Sequence, residues 1–363
     1  MTAEHDDNRR ILERLSNALG PTGFEGPVRE IVREELELVV DSIGNDGLGS
    51  VISELKGDSS SPRIMFAAHM DELGLMVRRI TPEGYIKIQP LGGWLDQALI
   101  NQRWIILTRE GEVPGVSGIK TPHVMSQDAR SKIFKRDDIF IDVGASSKED
   151  AEDRLNIRPG DAIAPASFFQ EMEGNCLYMG KAWDDRAGVA VMLQTIKRLK
   201  QLGHPNTVYG VATVQEEVGL RGAQTSAFAV SPDIGISLES GVAGDYPGIT
   251  ADEAQELVGS GPGIFLHDSS MLPNNRLRDL VVDIAQDLNI PLQFNVLSGY
   301  GQDGAAIQKT GAGVPAINVT VPTRYLHSHT GVIHRDDVEG AIQLMVELVR
   351  RLDDMTVEKI KQF

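Results

Sequence analysis

Two kinds of apolar pattern alternate along this chain. Ile11, Leu12, Leu15 and Leu19 recur at helical spacing, as do Val28, Ile31, Val32 and Leu36, with the breakers Gly20, Pro21, Gly23 and Gly26 between them. These predict two helices ahead of a sheet. Four later runs are short and mainly apolar: RIMFAA over 63–68, TVYGVATV over 207–214, DIGISL over 233–238 and AINVTV over 316–321. Such runs fit strands buried on both faces. After Trp183, Val189, Met192, Leu193, Ile196 and Leu199 share one helical face. No helix of the usual length is expected between the second and third runs. Strands alternating with helices predict an α/β fold, a mostly parallel mixed sheet flanked by helices.

The pattern changes between Glu72 and Ala166. Short β-like pieces such as YIKIQP, RWIILT and IFIDVG are broken by Gly92, Gly93, Gly111, Pro114, Gly115, Gly118 and Pro122. An inserted small β domain over 72–166 is expected, with 1–71 and 167–363 forming the main unit. No long repeat or low-complexity tract interrupts either unit.

Composition narrows the function. At 363 residues and 41% hydrophobic content the chain can bury a full core. The net charge of -17 disfavours nucleic acid and anionic membrane as partners and suits cations or basic peptides. No signal-peptide pattern opens the sequence and no run reaches membrane-spanning length, so a cytoplasmic location is expected. The single cysteine, Cys176, cannot form an internal disulfide and is read as an inert thiol. The phosphate-loop spacing fails around Gly174 and Gly180, and neither HExxH nor GxSxG occurs.

Candidate chemistry gathers where the apolar runs end. His69, Asp71 and Glu72 follow the first run, and Asp71 is placed to orient the His69 imidazole. Asp184 and Asp185 open the helix after Trp183, where one aspartate serves as a cap and the second needs another reason. Glu216 and Glu217 end the second run, and adjacent carboxylates repel unless a cation or proton separates them. Glu239 ends the third, with Asp245 nearby, and His327, His329 and His334 follow the fourth. Together they supply oxygen and nitrogen ligands suited to Zn, Co or Mn, which points to two divalent ions per chain.

The segments HMDE, AWDDRAG, QEEVGLRGA, GDYPG and RYLHS, in this order, resemble the TET-type glutamyl, deblocking and lysyl aminopeptidases, family forty-two of the metallopeptidases. GVSGIKTPH and IDVGASSKEDA resemble that family's inserted β-barrel domain. The resemblance spans nearly the whole chain. It implies that Asp184 bridges two metals, with His69 and Glu239 completing one site and Glu217 and His327 the other. Glu216 would be the general base and Asp71 the group orienting His69. Many relatives carry aspartate where this chain has Glu239, one methylene longer. The resemblance further implies peptide substrates and homo-oligomers, up to a tetrahedral dodecamer. His329 and His334 are read as polar loop residues outside the site.

The same ligand set also serves related metallo-carboxypeptidases and amide deacylases, and a noncatalytic metal-binding scaffold would keep the ligands without needing Glu216. Glycoside hydrolysis is disfavoured, since adjacent Glu216 and Glu217 cannot flank a bond from opposite faces.

Overall fold

The computed structural model describes residues 3–174 and 176–362. Its centre is an eight-stranded sheet in the order Ser42–Asn45, Val51–Lys56, Thr207–Thr213, Arg63–His69, Ile234–Val242, Ala316–Thr323, Gly263–His267, Gln293–Val296. The four middle strands run parallel, and they coincide with the four apolar runs. Antiparallel neighbours flank them on either side, so the sheet is mixed, as expected.

Alternation explains why the runs read as continuously apolar. In Arg63–His69, Ile64, Phe66 and Ala68 enter one core cluster, while Met65 and Ala67 enter another on the opposite face. Helices cover both faces. Ala3–Asn17, Gly26–Leu36, Trp183–Leu202 and Arg335–Arg351 share the larger cluster, and Arg221–Val230 and Gly304–Gln308 supply Ala227, Val230 and Ile307 to the smaller.

Arg221–Val230 is a ten-residue helix where none was expected. Its buried positions, Gly222, Ala223, Ser226, Ala227 and Val230, have helical spacing, but four are small and give almost no hydropathic signal.

Strands Gly74–Ile80, Ile86–Leu91, Phe140–Asp142, Gly111–Gly118, Arg103–Thr108 and Ala162–Pro165 close into a barrel. Closure leaves no unpaired edge, and the barrel has its own core around Leu75, Val77, Ile86, Ile88, Trp104, Ile106 and Ile141. A three-stranded sheet of Gln170–Met172, Leu177–Gly180 and Gly331–His334 lies where the barrel returns to the main unit. Among the described residues no helix is long and apolar enough to cross a membrane.

The parallel register brings the functional ends together. Thr213 pairs with His69, and Glu239 pairs with Thr320. Side chains just past these positions therefore share the crevice beyond the carboxyl edge of the sheet.

Candidate active site

Asp184 sits between two imidazoles. Its Oδ1 is 3.1 Å from His69 Nε2 and its Oδ2 is 3.4 Å from His327 Nε2. Around His69 Nε2 also stand Glu239 Oε2 at 3.8 Å and Glu216 Oε2 at 3.9 Å. Glu217 Oε2 lies 3.8 Å from His327 Nε2. One carboxylate thus divides its oxygens between two half-sites, each with a histidine and a further glutamate.

Both rings are held so that Nε2 is the free ligand atom. His69 Nδ1 donates to the carbonyl of Asp71 at 3.0 Å, and His327 Nδ1 donates to the carbonyl of Gly93 at 2.9 Å. A carbonyl only accepts, so the neutral ring carries its proton on Nδ1 and leaves the Nε2 lone pair facing Asp184. The Asp71 carboxylate is farther from the ring, 3.6 Å from Nδ1. Its oxygens instead accept the backbone N–H groups of Glu216 at 3.0 Å and Glu217 at 3.2 Å, and the Thr22 hydroxyl at 2.9 Å. The side chain expected to orient His69 thus also anchors the backbone that carries Glu216 and Glu217.

Backbone conformation supports these placements. Ala182, Gln215 and His327 adopt left-handed φ of 57°, 56° and 53°, a region non-glycine residues occupy mainly where surrounding structure imposes it. Gly92 and Gly93 bring the barrel against the site. A Cβ on Gly92 would stand 2.2 Å from Leu73 Cδ2 and 3.1 Å from Glu217 Oε2, and one on Gly93 3.1 Å from His327 Nδ1.

Seven carboxylates crowd this volume: Asp71, Asp184, Asp185, Glu216, Glu217, Glu239 and Asp303. Burial and like-charged neighbours push Glu216, Glu239 and Asp185 well above the usual carboxylate range, and Glu217 to about 8. Burial would raise Asp184 too, but His327 and His69 hold it below that range. Burial likewise opposes protonation of the imidazoles, yet Asp184 and its neighbours lift His69 well above its ordinary value and His327 to about 9. So many carboxylates stay buried together only with protons or cations among them.

Divalent ions fit the observed spacing. Ligand atoms about 2.0–2.2 Å from a tetrahedral ion stand roughly 3.3–3.6 Å apart; the contacts about His69 Nε2, 3.1 to 3.9 Å, bracket that span, and those about His327 Nε2, 3.4 and 3.8 Å, fall within it or just beyond. Glu217 Oε1 is buried without a hydrogen-bond partner among the described residues, as expected of an oxygen awaiting a cation. Three groups of mutually close ligand atoms meet here: His69, Asp185 and Glu239; His69, Glu216 and Glu217; and Asp184, Glu217 and His327. Glu239, despite its extra methylene relative to aspartate, reaches this cluster with Oε1 held by the Ser237 hydroxyl at 3.0 Å.

Asp185 stands with His69 and Glu239 while accepting the backbone N–H groups of His69 and Gly188. The remaining candidates have different partners. Glu72 forms a buried ion pair with Lys181 at 2.6 Å, and the same ammonium donates to the Ala18 carbonyl at 2.7 Å. Asp245 pairs with Arg324. His329 packs edge-on against Trp104, and burial pushes its imidazole down to about 4. His334 caps the helix Arg335–Arg351 by accepting the Asp336 N–H. Its ring lies near half-buried Cys176 and exposed Asp336, but that cap occupies Nδ1.

Asp303 is the buried member that sequence reasoning missed. It accepts the Thr213 hydroxyl, leaves Oδ1 unpartnered among the described residues, and donates its N–H to Glu239 Oε1 at 3.4 Å. Its segment, GYGQDG, reads only as a turn, so no local signal distinguishes it.

A buried histidine and carboxylate cluster at the carboxyl ends of parallel strands, on a sheet flanked by helices, is the arrangement of a metallopeptidase. The chain belongs to the M42 glutamyl aminopeptidase family, whose sequence model matches residues 49–344. It is 37% identical over 358 residues to the putative aminopeptidase FrvX of Escherichia coli (strain K12), covering 98% of each chain. Among solved structures it matches the TET aminopeptidase of the marine sediment archaeon Thaumarchaeota archaeon SCGC AB-539-E09 with a TM-score of 0.96 and 44% identity, covering 99% of this chain and 100% of that one. The TET1 peptidase of Pyrococcus horikoshii, described as able to assemble into a tetrahedron or a large octahedral shell, matches with a TM-score of 0.85 and 31% identity, over 94% of this chain and 99% of that one. The protein is an aminopeptidase, a hydrolase of peptide bonds.

Proposed function

We propose that two divalent ions, Zn, Co or Mn, serve this aminopeptidase, one held by His69, Asp184 and Glu239 and the other by His327, Asp184 and Glu217. The division of the two Asp184 oxygens between two imidazoles carries this reading. Ions so held would supply Lewis acidity toward the scissile carbonyl and lower the pKa of a bound water toward neutrality.

The chain's own groups do the remaining work. Glu216, with 10% of its side chain exposed, takes the proton of the attacking water and delivers it to the departing amine as the C–N bond breaks. Asp71 fixes the Glu216 backbone, and through it the carboxylate's reach. The surplus of buried negative charge favours a substrate ammonium, which restricts cleavage to the first residue. A carboxypeptidase needs a cation for the substrate's terminal carboxylate. The buried cations beside this site are already engaged, Lys181 by Glu72 and Ala18, and Arg186 by the carbonyls of Met70 and Leu15.

We further infer a homo-oligomer, in its finer form a tetrahedral dodecamer like the shells described for the Pyrococcus horikoshii relative, a cytoplasmic location, and a division into 1–71 with 167–363 and 72–166.

Chelation followed by return of Zn, Co or Mn tests the reaction. A free-amine peptide is expected to lose its first residue only after metal is returned, and its N-acetylated twin is expected to stay intact. Cleavage of the acetylated peptide at a comparable rate would turn the reading to a deacylase or endopeptidase.

A further inference from the structure

One stretch reverses the sign of this acidic chain. Between 119 and 139 stand Lys120, Arg130, Lys132, Lys135 and Arg136 against Asp128, Asp137 and Asp138, in a chain of net charge -17. The stretch links barrel strands Gly111–Gly118 and Phe140–Asp142 through three short helical turns. Connections this long with little regular structure commonly bind something. Lys120, Arg130, Lys132 and Lys135 are exposed, with exposed Val124 and Ile133 interleaved. Among the described residues, none of these four cations enters a salt bridge, and Arg136 alone is paired.

That one pair ties the stretch to the mouth of the site. The Arg136 guanidinium and backbone N–H hold Asp96 at 3.0 to 3.1 Å. Asp96 lies three residues beyond Gly93, whose carbonyl holds His327, a separation of at most about 11 Å along the chain. The His327 side chain is 41% exposed while those of His69 and Glu239 are nearly sealed, so the site opens on this side.

We propose that residues 120–136 form a docking surface for acidic polypeptide substrates, binding carboxylates several residues past the bond that is cut. The inference rests on the aminopeptidase reading of the site. A peptide whose first residue is in the site must leave through the open side, advancing roughly 3.4 Å per residue. On this proposal its residues past the fourth meet the cationic stretch, which Arg136 ties to the mouth of the site through Asp96. Charge complementarity favours acidic peptide over nucleic acid. Apart from Asp128, Asp137 and Asp138 beside the cations, the acidic surface is screened beyond about 8 Å at physiological salt, so a few carboxylates meet the local cations, whereas a long polyanion also meets the surrounding acid.

The test compares two free-amine decapeptides with the same first four residues, one with four Glu and one with four Gln among the last six. A dipeptide amide too short to reach the stretch serves as reference. The wild-type protein and a variant with Lys120→Gln, Arg130→Gln, Lys132→Gln and Lys135→Gln are assayed at low and high salt. At low salt the wild type is expected to favour the Glu peptide about tenfold in kcat/KM, through KM, as four weak surface contacts together would give. The preference is expected to vanish in the variant and at about 0.5 M salt, with the dipeptide amide unaffected. No preference in the wild type, or the same preference in the variant, overturns the proposal.

Fluorescence anisotropy of the N-acetylated Glu peptide reads docking without turnover. Tighter binding to the wild type supports the proposal and equal binding overturns it, while an oligonucleotide of equal charge binding more tightly than the peptide overturns the choice of partner. Loss of dipeptide-amide hydrolysis with every metal would sink the aminopeptidase reading instead.

Discussion

Glu256 shows at single-residue scale what burial does to a carboxyl outside the active site. It fills a slot so close that a Cβ on Gly241 would stand 1.7 Å from its Oε2 and one on Gly263 2.1 Å from its Oε1. Thr320 donates to Oε1 at 2.7 Å, and Oε2 has no partner among the described residues. Burial raises its pKa from 4.5 to about 8. The folded state therefore holds a proton that the unfolded chain releases between those values, and stability falls as pH climbs through that window. Glu256→Gln keeps the shape and cannot ionise. Thermal melts from pH 5 to 8 are expected to show a shallower decline in Tm for this variant than for the wild type. Some decline should remain, because Asp337 is raised to about 7 in the same way. Parallel declines in the two proteins would mean that Glu256 is already ionised in the fold.

At the scale of elements, the site depends on where the barrel touches the sheet. Gly92 has φ of 88° and lies against Leu73 and Glu217, while Gly144 has φ of 70° with nothing within 4 Å of a Cβ. Alanine at either position carries the left-handed cost of about 1 kcal/mol. Only Gly92→Ala should also displace Glu217, lowering kcat/KM about 100-fold, and Gly144→Ala should keep full activity. Equal activities in the two variants would contradict the role given to the barrel contact.

This contact also marks the limit of what the sequence discloses. The middle strands were legible because each is an apolar run, and His69, Glu216, Glu217 and Glu239 were legible because they end such runs. Gly93 was not, since it acts through a backbone carbonyl and any residue has one. Asp303 arrives by topology from a turn-like segment, and Glu72 meets Lys181 109 positions away, so neither has a local pattern. The helix Arg221–Val230 was hidden by its small buried residues.

Over the whole molecule, the buried Glu72 and Lys181 pair links the end of the first helix, the loop after His69 and the entry to Trp183–Leu202. The metal-ligand candidates therefore hang on a frame drawn from segments before and after the barrel, with the barrel closing one side. Such a frame makes no use of the Glu216 side chain. That independence gives the most direct test of the central claim, that a two-ion site works with Glu216 as its base. Metal content and turnover are measured together for Glu216→Gln. Wild type and variant are both expected to bind about two divalent ions per chain, while kcat of the variant falls by about 10²–10⁴. A variant that binds fewer ions, or that keeps wild-type kcat with both ions in place, would contradict the account.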